Sequence, residues 1–262
     1  MIKDTYKDIN PKLASFVSKL IPKDDSYHKT HERRFLRTIQ VLLDQEPKGK
    51  LLEVATSGLV PIVLKEFAPD LEVYVTELDE KKSSVVKKTF EFGGKQVEAT
   101  TYQLDLEKHL IKEKPDTFDY VICCEVLEHM EIDPMAMLSE INRVIKPKGT
   151  LITTTPNAVS SLSITKMLNG IEPYFYMHYQ VPPAYHRHNY EYSIHSLVSL
   201  LKSAGFDGKA WTENTFEDPV FHDVNKLKAI GYRMDHVGDN IFGVSRKISE
   251  VVDRYPKGVY DA

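Results

Sequence analysis

KLLEVATSGLVPIVLKEFAPDLEVYVTE, residues 50–77, contains the clearest structural pattern in the chain. The apolar run at 51–54 predicts a strand that is buried on both faces, and four small residues follow it at 55–58. An apolar helix is predicted at 60–67, and a second strand at 73–76 leads to Glu77. Strand, small-residue turn, helix, strand and acid are typical of the first βαβ unit of a nucleotide-binding α/β sheet.

The turn and the acid predict the chemistry of this unit. A small-residue turn at a helix start is expected to present free backbone N–H groups to a polar ligand. Glu77 can accept hydrogen bonds from both hydroxyls of a ribose. An acid at the end of a strand is also common for solvation alone, so the interpretation depends on the rest of the chain.

Composition excludes several classes of protein. With 34 basic and 38 acidic residues the net charge is −4, which gives no general attraction to nucleic acid or to an anionic membrane. The polar N-terminal sequence has no signal-peptide pattern, and no apolar run approaches membrane-spanning length. Cys123 and Cys124 are adjacent, which indicates neither a disulfide framework nor a zinc knuckle. We expect a soluble, cytoplasmic protein.

Strands and helices alternate along the rest of the chain. The predicted strands lie at 97–103, 118–124, 150–155, 209–215 and 239–246, and the predicted helices at 81–92, 134–145, 162–168, 193–204 and 224–230. The pattern predicts an α/β fold with a doubly wound, mostly parallel, Rossmann-like sheet. Ligands bind at the carboxyl ends of the strands in such sheets, so Glu77, Asp105 and Glu125 are expected along one edge.

Two predicted helices, within residues 1–25 and 31–43, precede the sheet and form an N-terminal cap at 1–49. Polar residues near the second helix are surface residues by default, but they precede the first strand and could instead lie over the ligand site; they are His28, His31, Arg33 and Arg34. The main domain is predicted at 50–248, with an inserted lid loop at about 157–192, and a C-terminal tail at 249–262.

Five motifs along residues 50–247 resemble those of the class I, seven-stranded S-adenosylmethionine-dependent methyltransferases. They are LLEVATSG, VYVTE, YQLD, FDYVICCEVLEHM and INRVIKPKGTLITTTPN. The resemblance implies that S-adenosylmethionine is the cofactor, that residues 54–58 and Glu125 lie at its methionine end, and that Glu77 binds the ribose. It also implies that Asp105 faces the adenine amine, with Leu106 beside the ring. The cofactor-binding candidates are Glu53, Ala55, Thr56, Ser57, Gly58, Glu77, Asp105, Leu106 and Glu125.

One departure from the family concerns its first motif, which resembles E-x-G-x-G-x-G. This chain has Ala55, Ser57 and Leu59 at the glycine positions. Alanine and serine are the smallest replacements, whereas Leu59 is expected to narrow the loop or to move it.

Other classes of function account for fewer of the motifs. A dinucleotide-binding dehydrogenase would need G-x-G-x-x-G, which is absent. Methyltransferases of exocyclic base amines have an N/D-P-P-Y/F tetrad after the fourth strand, where this chain has Cys124-Glu125-Val126-Leu127, so we expect no nucleic-acid partner. A protein acceptor, and a cofactor-binding scaffold without catalysis, both remain open.

The lid loop bears on the acceptor, because a long loop in a compact domain is usually a binding element. It is rich in aromatic residues and contains His178, His186 and His188. RHNYEY at 187–192 and GDNIFGVSRK at 238–247 are similar to a branch of bacterial methyltransferases associated with sugar and surface-polysaccharide assembly.

That resemblance implies a small polar acceptor, a sugar hydroxyl first and an amine on a phosphorylated metabolite or amino sugar second. The catalytic candidates are His129, His188 and His186, with His129 best placed to take a proton. A metal site from His186, His188 and an acid is possible, but the spacing is not diagnostic, so we expect no metal ligands. We expect no membrane partner, and leave a homodimer open.

Overall fold

The computed structural model describes residues 8–173, 187–216 and 224–260. The helices are α1 Pro11–Leu20, α2 Ser26–Thr30, α3 Glu32–Leu43, α4 Leu59–Phe67, α5 Pro134–Val144, α6 Ser161–Leu168, α7 Ile194–Ser203 and α8 Val224–Ala229. The strands are β1 Gly49–Val54, β2 Leu71–Glu77, β3 Ser84–Phe92, β4 Lys95–Gln103, β5 Phe118–Cys124, β6 Ile145–Pro156, β7 Phe206–Glu213 and β8 Asn240–Lys247. The last turn before the α5 region is a 3₁₀ helix, Leu127–His129.

The strands form one eight-stranded sheet in the order β3-β4-β2-β1-β5-β6-β8-β7. The five strands β4, β2, β1, β5 and β6 run parallel to one another. β8 is antiparallel to both β6 and β7, and β3 is antiparallel to β4. The predicted mostly parallel, Rossmann-like sheet is confirmed, and it has one strand more than the seven that were expected.

The additional strand β3 shows that the predicted helix at 81–92 was wrong. Its sequence, SVVKKTFEF, is rich in β-branched and aromatic residues, and it pairs with β4 from Ser84↔Gln103 to Phe92↔Lys95. Gly93 and Gly94 have φ values of +56° and +75°, which suit a two-residue hairpin turn. A glycine pair can also end a helix, but here the two glycines reverse the chain between two strands.

Apolar side chains cover both faces of the sheet. Val121 and Ile122 are neighbours on β5 and belong to separate clusters, one with α5 and α7 and the other with α1, α3 and α4. Burial on both faces explains why the central strands are apolar runs without alternation. Within the described ranges, no helix has the length and the apolar character that a membrane crossing requires.

The N-terminal helices pack on the second of these faces. Leu13, Val17 and Ile39 are fully buried, in the same cluster as Leu51 of β1 and Leu59 of α4. Residues 26–30, between the two predicted helices, form α2, and the Asp25 carboxylate accepts a hydrogen bond from His28 N at its start. The cap therefore shares its apolar core with the sheet.

Candidate functional site

A pocket opens at the carboxyl ends of β1, β2, β4 and β5. Its walls include the apolar side chains of Leu78, Leu106 and Met130, together with the carboxylates of Asp105 and Glu125. The predicted gathering of strand-end residues at one edge is therefore seen for Asp105 and Glu125. Apolar walls suit a ring, and carboxylates suit hydroxyl and ammonium groups.

The turn after β1 contains a single glycine, and two of its residues have a positive φ. Ala55 has φ +55° and Gly58 φ +87°, both in the left-handed region that glycine favours. Ala55 lines the pocket. Of the two effects expected of Leu59, narrowing of the loop is not seen, because the side chain is fully buried in the apolar core as the first residue of α4.

The expectation of free N–H groups in this turn was also wrong for three of its residues. Ala55 N donates to Thr76 Oγ1 at 2.8 Å, and Thr56 N donates to the carbonyl oxygen of Thr76 at 3.1 Å. Gly58 N donates to Thr56 Oγ1 at 3.0 Å. Hydrogen bonds of the turn's own N–H groups thus hold it to β2. Ala55 contributes a small side chain to the pocket wall.

Glu53 lies beneath this turn and is buried. The hydroxyl of Thr56 donates a hydrogen bond to Glu53 Oε2 at 2.5 Å. Burial raises the pKa of Glu53 to about 7, and the hydrogen bond from Thr56 acts in the opposite direction. Because the side chain bonds within the turn, it orders residues 53–56.

Glu77, the predicted ribose acid, is engaged by the additional strand. Its carboxylate forms an ion pair with Lys88 of β3 and accepts a hydrogen bond from Gln103 Nε2 at 3.5 Å. The pocket wall at β2 includes Thr76, Leu78 and Glu80, on either side of Glu77 in the sequence. An approaching ribose would therefore have to compete with Lys88 for Glu77.

Asp105 and Leu106 lie where the sequence predicted, on the pocket wall after β4. Asp105 Oδ1 accepts a hydrogen bond from Glu107 N at 2.9 Å, and its Oδ2 lies 2.7 Å from Lys108 Nζ. Glu107 in turn accepts hydrogen bonds from the backbone of Glu131, Ile132 and Asp133, which ties the two loops of the pocket mouth together.

Glu125, at the end of β5, is held by a buried network. Arg34 Nη1 of α3 donates to Glu125 Oε2 at 2.9 Å. Thr154 Oγ1 and Asn240 Nδ2 both donate to Glu125 Oε1, at 2.8 and 3.0 Å. Of the polar residues near the second helix, Arg34 thus contacts a residue that lines the pocket. The pairing of Arg34 with Glu125 could not be predicted, because 91 residues separate them.

His129 and His188 come together next to a third residue, Glu128, which the sequence analysis missed. Their rings are 5.0 Å apart between centroids, and one ligand atom from each of the three residues lies within 4.8 Å of the others. Glu128 is fully buried and accepts a hydrogen bond from Thr155 Oγ1 at 3.0 Å. Burial, and next the neighbouring Glu125, raise the pKa of Glu128 well above its usual range.

Asn189, next to His188, is hydrogen-bonded to this cluster. Its N donates to the carbonyl oxygen of Glu128 at 2.7 Å, and its Nδ2 donates to the carbonyl oxygen of His129 at 3.1 Å. His129 also lines the strand-end pocket. A carboxylate directly before the best-placed histidine was the available signal for Glu128. His186 and most of the aromatic loop lie outside the described residues.

A family model described as "Methyltransferase domain" matches residues 27–209, well over half of the chain. A protein of Xanthomonas campestris pv. campestris named "Ubiquinone biosynthesis O-methyltransferase" is 34% identical over 117 residues, which are 44% of this chain and 43% of that protein. A protein of the same name from Idiomarina loihiensis is 24% identical over 78% of this chain and 83% of its own length. The match to the Xanthomonas relative thus spans less than half of that protein's length.

Two solved structures share the fold. A protein of Thermotoga maritima, described as an S-adenosylmethionine-dependent methyltransferase and possible histamine N-methyltransferase, superposes with a TM-score of 0.53. It is 17% identical, and the match covers 90% of this chain and 98% of that one. A methyltransferase structure from Archaeoglobus fulgidus also gives 0.53, at 16% identity, over 84% and 98% of the two chains. At these identities the likeness concerns the fold alone.

Proposed function

Because this chain belongs to the methyltransferase-domain family, we propose that it transfers a methyl group from S-adenosylmethionine to a hydroxyl group of a small polar molecule. The observation that carries the proposal is the position of His129. Its side chain lines the pocket at the strand ends and also belongs to the cluster with Glu128 and His188. A donor in the pocket and an acceptor at the cluster would therefore meet at this residue.

The lining of the pocket fits the donor. Leu78 and Leu106 offer apolar surface to an adenine ring, and Asp105 lies beside them to accept from its amine. Glu125 lies further along the wall, where a carboxylate would attract the cationic methionine end. These assignments are part of the proposal, as is the role of Glu77 at the ribose, which requires that Lys88 release it.

Methyl transfer is a direct displacement. When bound, the cofactor supplies a methyl group on a sulfonium; the carbon–sulfur bond breaks as the carbon–oxygen bond forms, and the sulfur keeps the electron pair as a thioether. The hydroxyl proton has to leave the acceptor. We assign that step to the cluster of Glu128, His129 and His188. Holding the two reactants in line contributes much of the rate of such a reaction.

Two hydroxyl acceptors have separate support. A sugar hydroxyl in surface-polysaccharide assembly is favoured by the motifs at 187–192 and 238–247. A ring hydroxyl of a quinone precursor is favoured by the name of the relatives. An amine needs only to be unprotonated, and a base beside the pocket would then have no task. We therefore place the hydroxyl before the amine.

The proposal is tested by incubating the full chain with methyl-labelled S-adenosylmethionine and three acceptor pools: nucleotide sugars, catechols and small phosphorylated amines. Formation of S-adenosylhomocysteine together with a labelled methyl ether is expected in the first or the second pool. Turnover only with amines would overturn the hydroxyl assignment. Cofactor binding in calorimetry without turnover in any pool would indicate a scaffold and would overturn the enzymatic proposal.

A further inference from the structure

We propose that Glu128, His129 and His188 form a binding site for one divalent transition-metal ion, such as Zn²⁺, Co²⁺ or Mn²⁺. Two imidazoles and one carboxylate are a ligand set that these ions favour. One ligand atom of each residue lies within 4.8 Å of the other two. The inference departs from our sequence-based expectation of no metal ligands, which overlooked Glu128.

The hydrogen bonds of the two imidazoles indicate which ring nitrogen of each carries the lone pair. His129 Nδ1 lies 3.1 Å from the carbonyl oxygen of Arg187, and His188 Nδ1 lies 3.0 Å from Glu191 Oε1. A carbonyl or carboxylate oxygen accepts hydrogen bonds, so Nδ1 carries the proton in each ring. The lone pair is then on Nε2. Histidines that bind metals are oriented by hydrogen bonds of this kind on the opposite nitrogen.

Glu128 supplies the negative charge. It is fully buried, and its Oε2 accepts the hydrogen bond from Thr155. Within the part of the chain that the structure describes, Glu128 Oε1 is buried and receives no hydrogen bond. It faces His129 Nε2 at 4.0 Å. A buried carboxylate oxygen without a donor is costly, and a cation coordinated to it removes that cost.

The distances fit a site that closes slightly when the ion binds. Ligand atoms around a tetrahedral ion at about 2.0–2.2 Å are roughly 3.4 Å apart. The 4.0 Å between His129 Nε2 and Glu128 Oε1 therefore has to shorten by roughly half an ångström. The other distances, which are within 4.8 Å, have to shorten by at most roughly 1.4 Å, through rotation of the side chains. Asn189 already holds the backbones of Glu128 and His129 against the segment that carries His188.

Three protein ligands leave at least one coordination position open, as in catalytic zinc sites. His129 forms part of the pocket wall, so the open position would be accessible to an acceptor. An ion there would lower the pKa of a coordinated hydroxyl group. His129 would then be a ligand, and would not take the proton itself. The metal site stands on its own geometry, and it can be tested without methyl transfer.

The test uses the full chain, freed of metal with a chelator and titrated with Co²⁺ and Zn²⁺ in the absence of cofactor and acceptor. We expect one ion per chain by calorimetry, visible absorption typical of Co²⁺ bound by imidazole, and a rise in Tm. Glu128→Gln and His188→Asn should lose more than the ~10–100-fold in affinity that changes behind the ligands cause, whereas Glu191→Gln should lose about that amount.

The control is His195→Asn, because His195 and His236 form a separate imidazole pair with centroids 5.4 Å apart. This variant should bind Co²⁺ as the unmodified chain does. Loss of binding in His195→Asn, unchanged binding in Glu128→Gln, or stoichiometric binding of Mg²⁺ alone would each overturn the proposal. Thermal unfolding of the metal-free variants shows whether each of them folds. If Glu128→Gln does not fold, the Co²⁺ affinities of His188→Asn and Glu191→Gln still test the site. If the unmodified chain transfers methyl groups but binds none of the added metal ions, the proposed function stands and the metal site is refuted.

Discussion

Arg34 in α3 and Glu125 at the end of β5 form a buried ion pair, with 2.9 Å between Nη1 and Oε2. The pair joins the N-terminal cap to the wall of the strand-end pocket. Thr154 and Asn240 bond the other carboxylate oxygen, so side chains from three elements, α3, β6 and β8, converge on Glu125. Cap and pocket are therefore expected to lose their structure together.

Removing the cation of this pair should be costly. Arg34→Met leaves the Glu125 carboxylate buried with two neutral donors, and we expect a loss of about 3–5 kcal/mol in the free energy of unfolding. Urea denaturation measures it. Arg233→Met is the control, since Arg233 and Asp235 form an exposed pair; its unfolding curve should not change measurably. If both variants lost the same amount, the buried pair would contribute no more to the free energy of unfolding than the exposed pair.

Glu53 should make stability depend on pH. Its pKa is about 7 in the folded chain, above the ordinary value of 4.5. The folded state therefore holds a proton that the unfolded state has released, and stability falls as pH rises from about 4.5 to 7 and stays lower above that. Glu53→Gln removes this fall, which amounts to at most about 3 kcal/mol.

The measurement compares urea denaturation at pH 5 and pH 8. The difference in stability between Glu53→Gln and the unmodified chain should shift in favour of the variant as pH rises. Glu98→Gln, which changes an exposed carboxylate on β4, should show no such shift. A constant difference between Glu53→Gln and the unmodified chain at both pH values would contradict the raised pKa.

Lys88 and Glu77 give a prediction for cofactor affinity. Because Lys88 occupies the carboxylate proposed for the ribose, Lys88→Met should strengthen the binding of S-adenosylhomocysteine by up to ~5-fold, the value of an exposed ion pair of at most ~1 kcal/mol. Glu77→Ala should weaken binding by ~10-fold or more, since each charge-assisted hydrogen bond contributes about 1.5–3 kcal/mol. Calorimetry measures both.

The neighbouring Lys87→Met is the control for Lys88→Met. If both lysine variants changed the affinity equally, net charge and not the release of Glu77 would be the cause. Unchanged affinity in Glu77→Ala would refute the ribose assignment itself.

The C-terminal tail should stabilise the loop at the pocket mouth. Tyr260 Oη donates to Asp133 Oδ1 at 2.5 Å and accepts from Met135 N at 2.9 Å, at the start of α5. Arg254 pairs with the same carboxylate. Tyr260→Phe should therefore cost about 1–2 kcal/mol in thermal or urea denaturation. Tyr255→Phe, in a ring that is 54% exposed, should be close to neutral; an equal loss in both would point to ring packing.

Local patterns predicted most of the fold. Apolar runs and helix stops located seven of the eight strands, because the central strands are buried on both faces and the helices have apolar stripes. The error at 81–92 arose because Gly93-Gly94 suits a helix end and a hairpin equally well. Only the pairing of β3 with β4 distinguishes the two, and that pairing is seen only in the folded structure.

The site was predictable to a lesser degree. Asp105, Leu106, Glu125 and His129 follow strands, and strand order brings such positions to one edge. The sequence did not predict the hydrogen-bond partners of the site residues. Arg34 reaches Glu125 from another layer, and Thr76 takes up turn N–H groups that were expected to be free. Such contacts depend on side-chain direction, which periodicity does not give.

The hairpin of β3 and β4 also determines where the sheet is open to solution. β3 is the last strand on its side in the described chain, so its outer row of peptide groups is a template on which a second chain could pair. Val85 and Val86 are 45% and 37% exposed there, which would favour such pairing. Lys87 and Lys88 follow them directly, and charged side chains on an edge strand oppose association between copies. Neutralising both lysines would therefore lower the concentration at which the folded protein remains in solution.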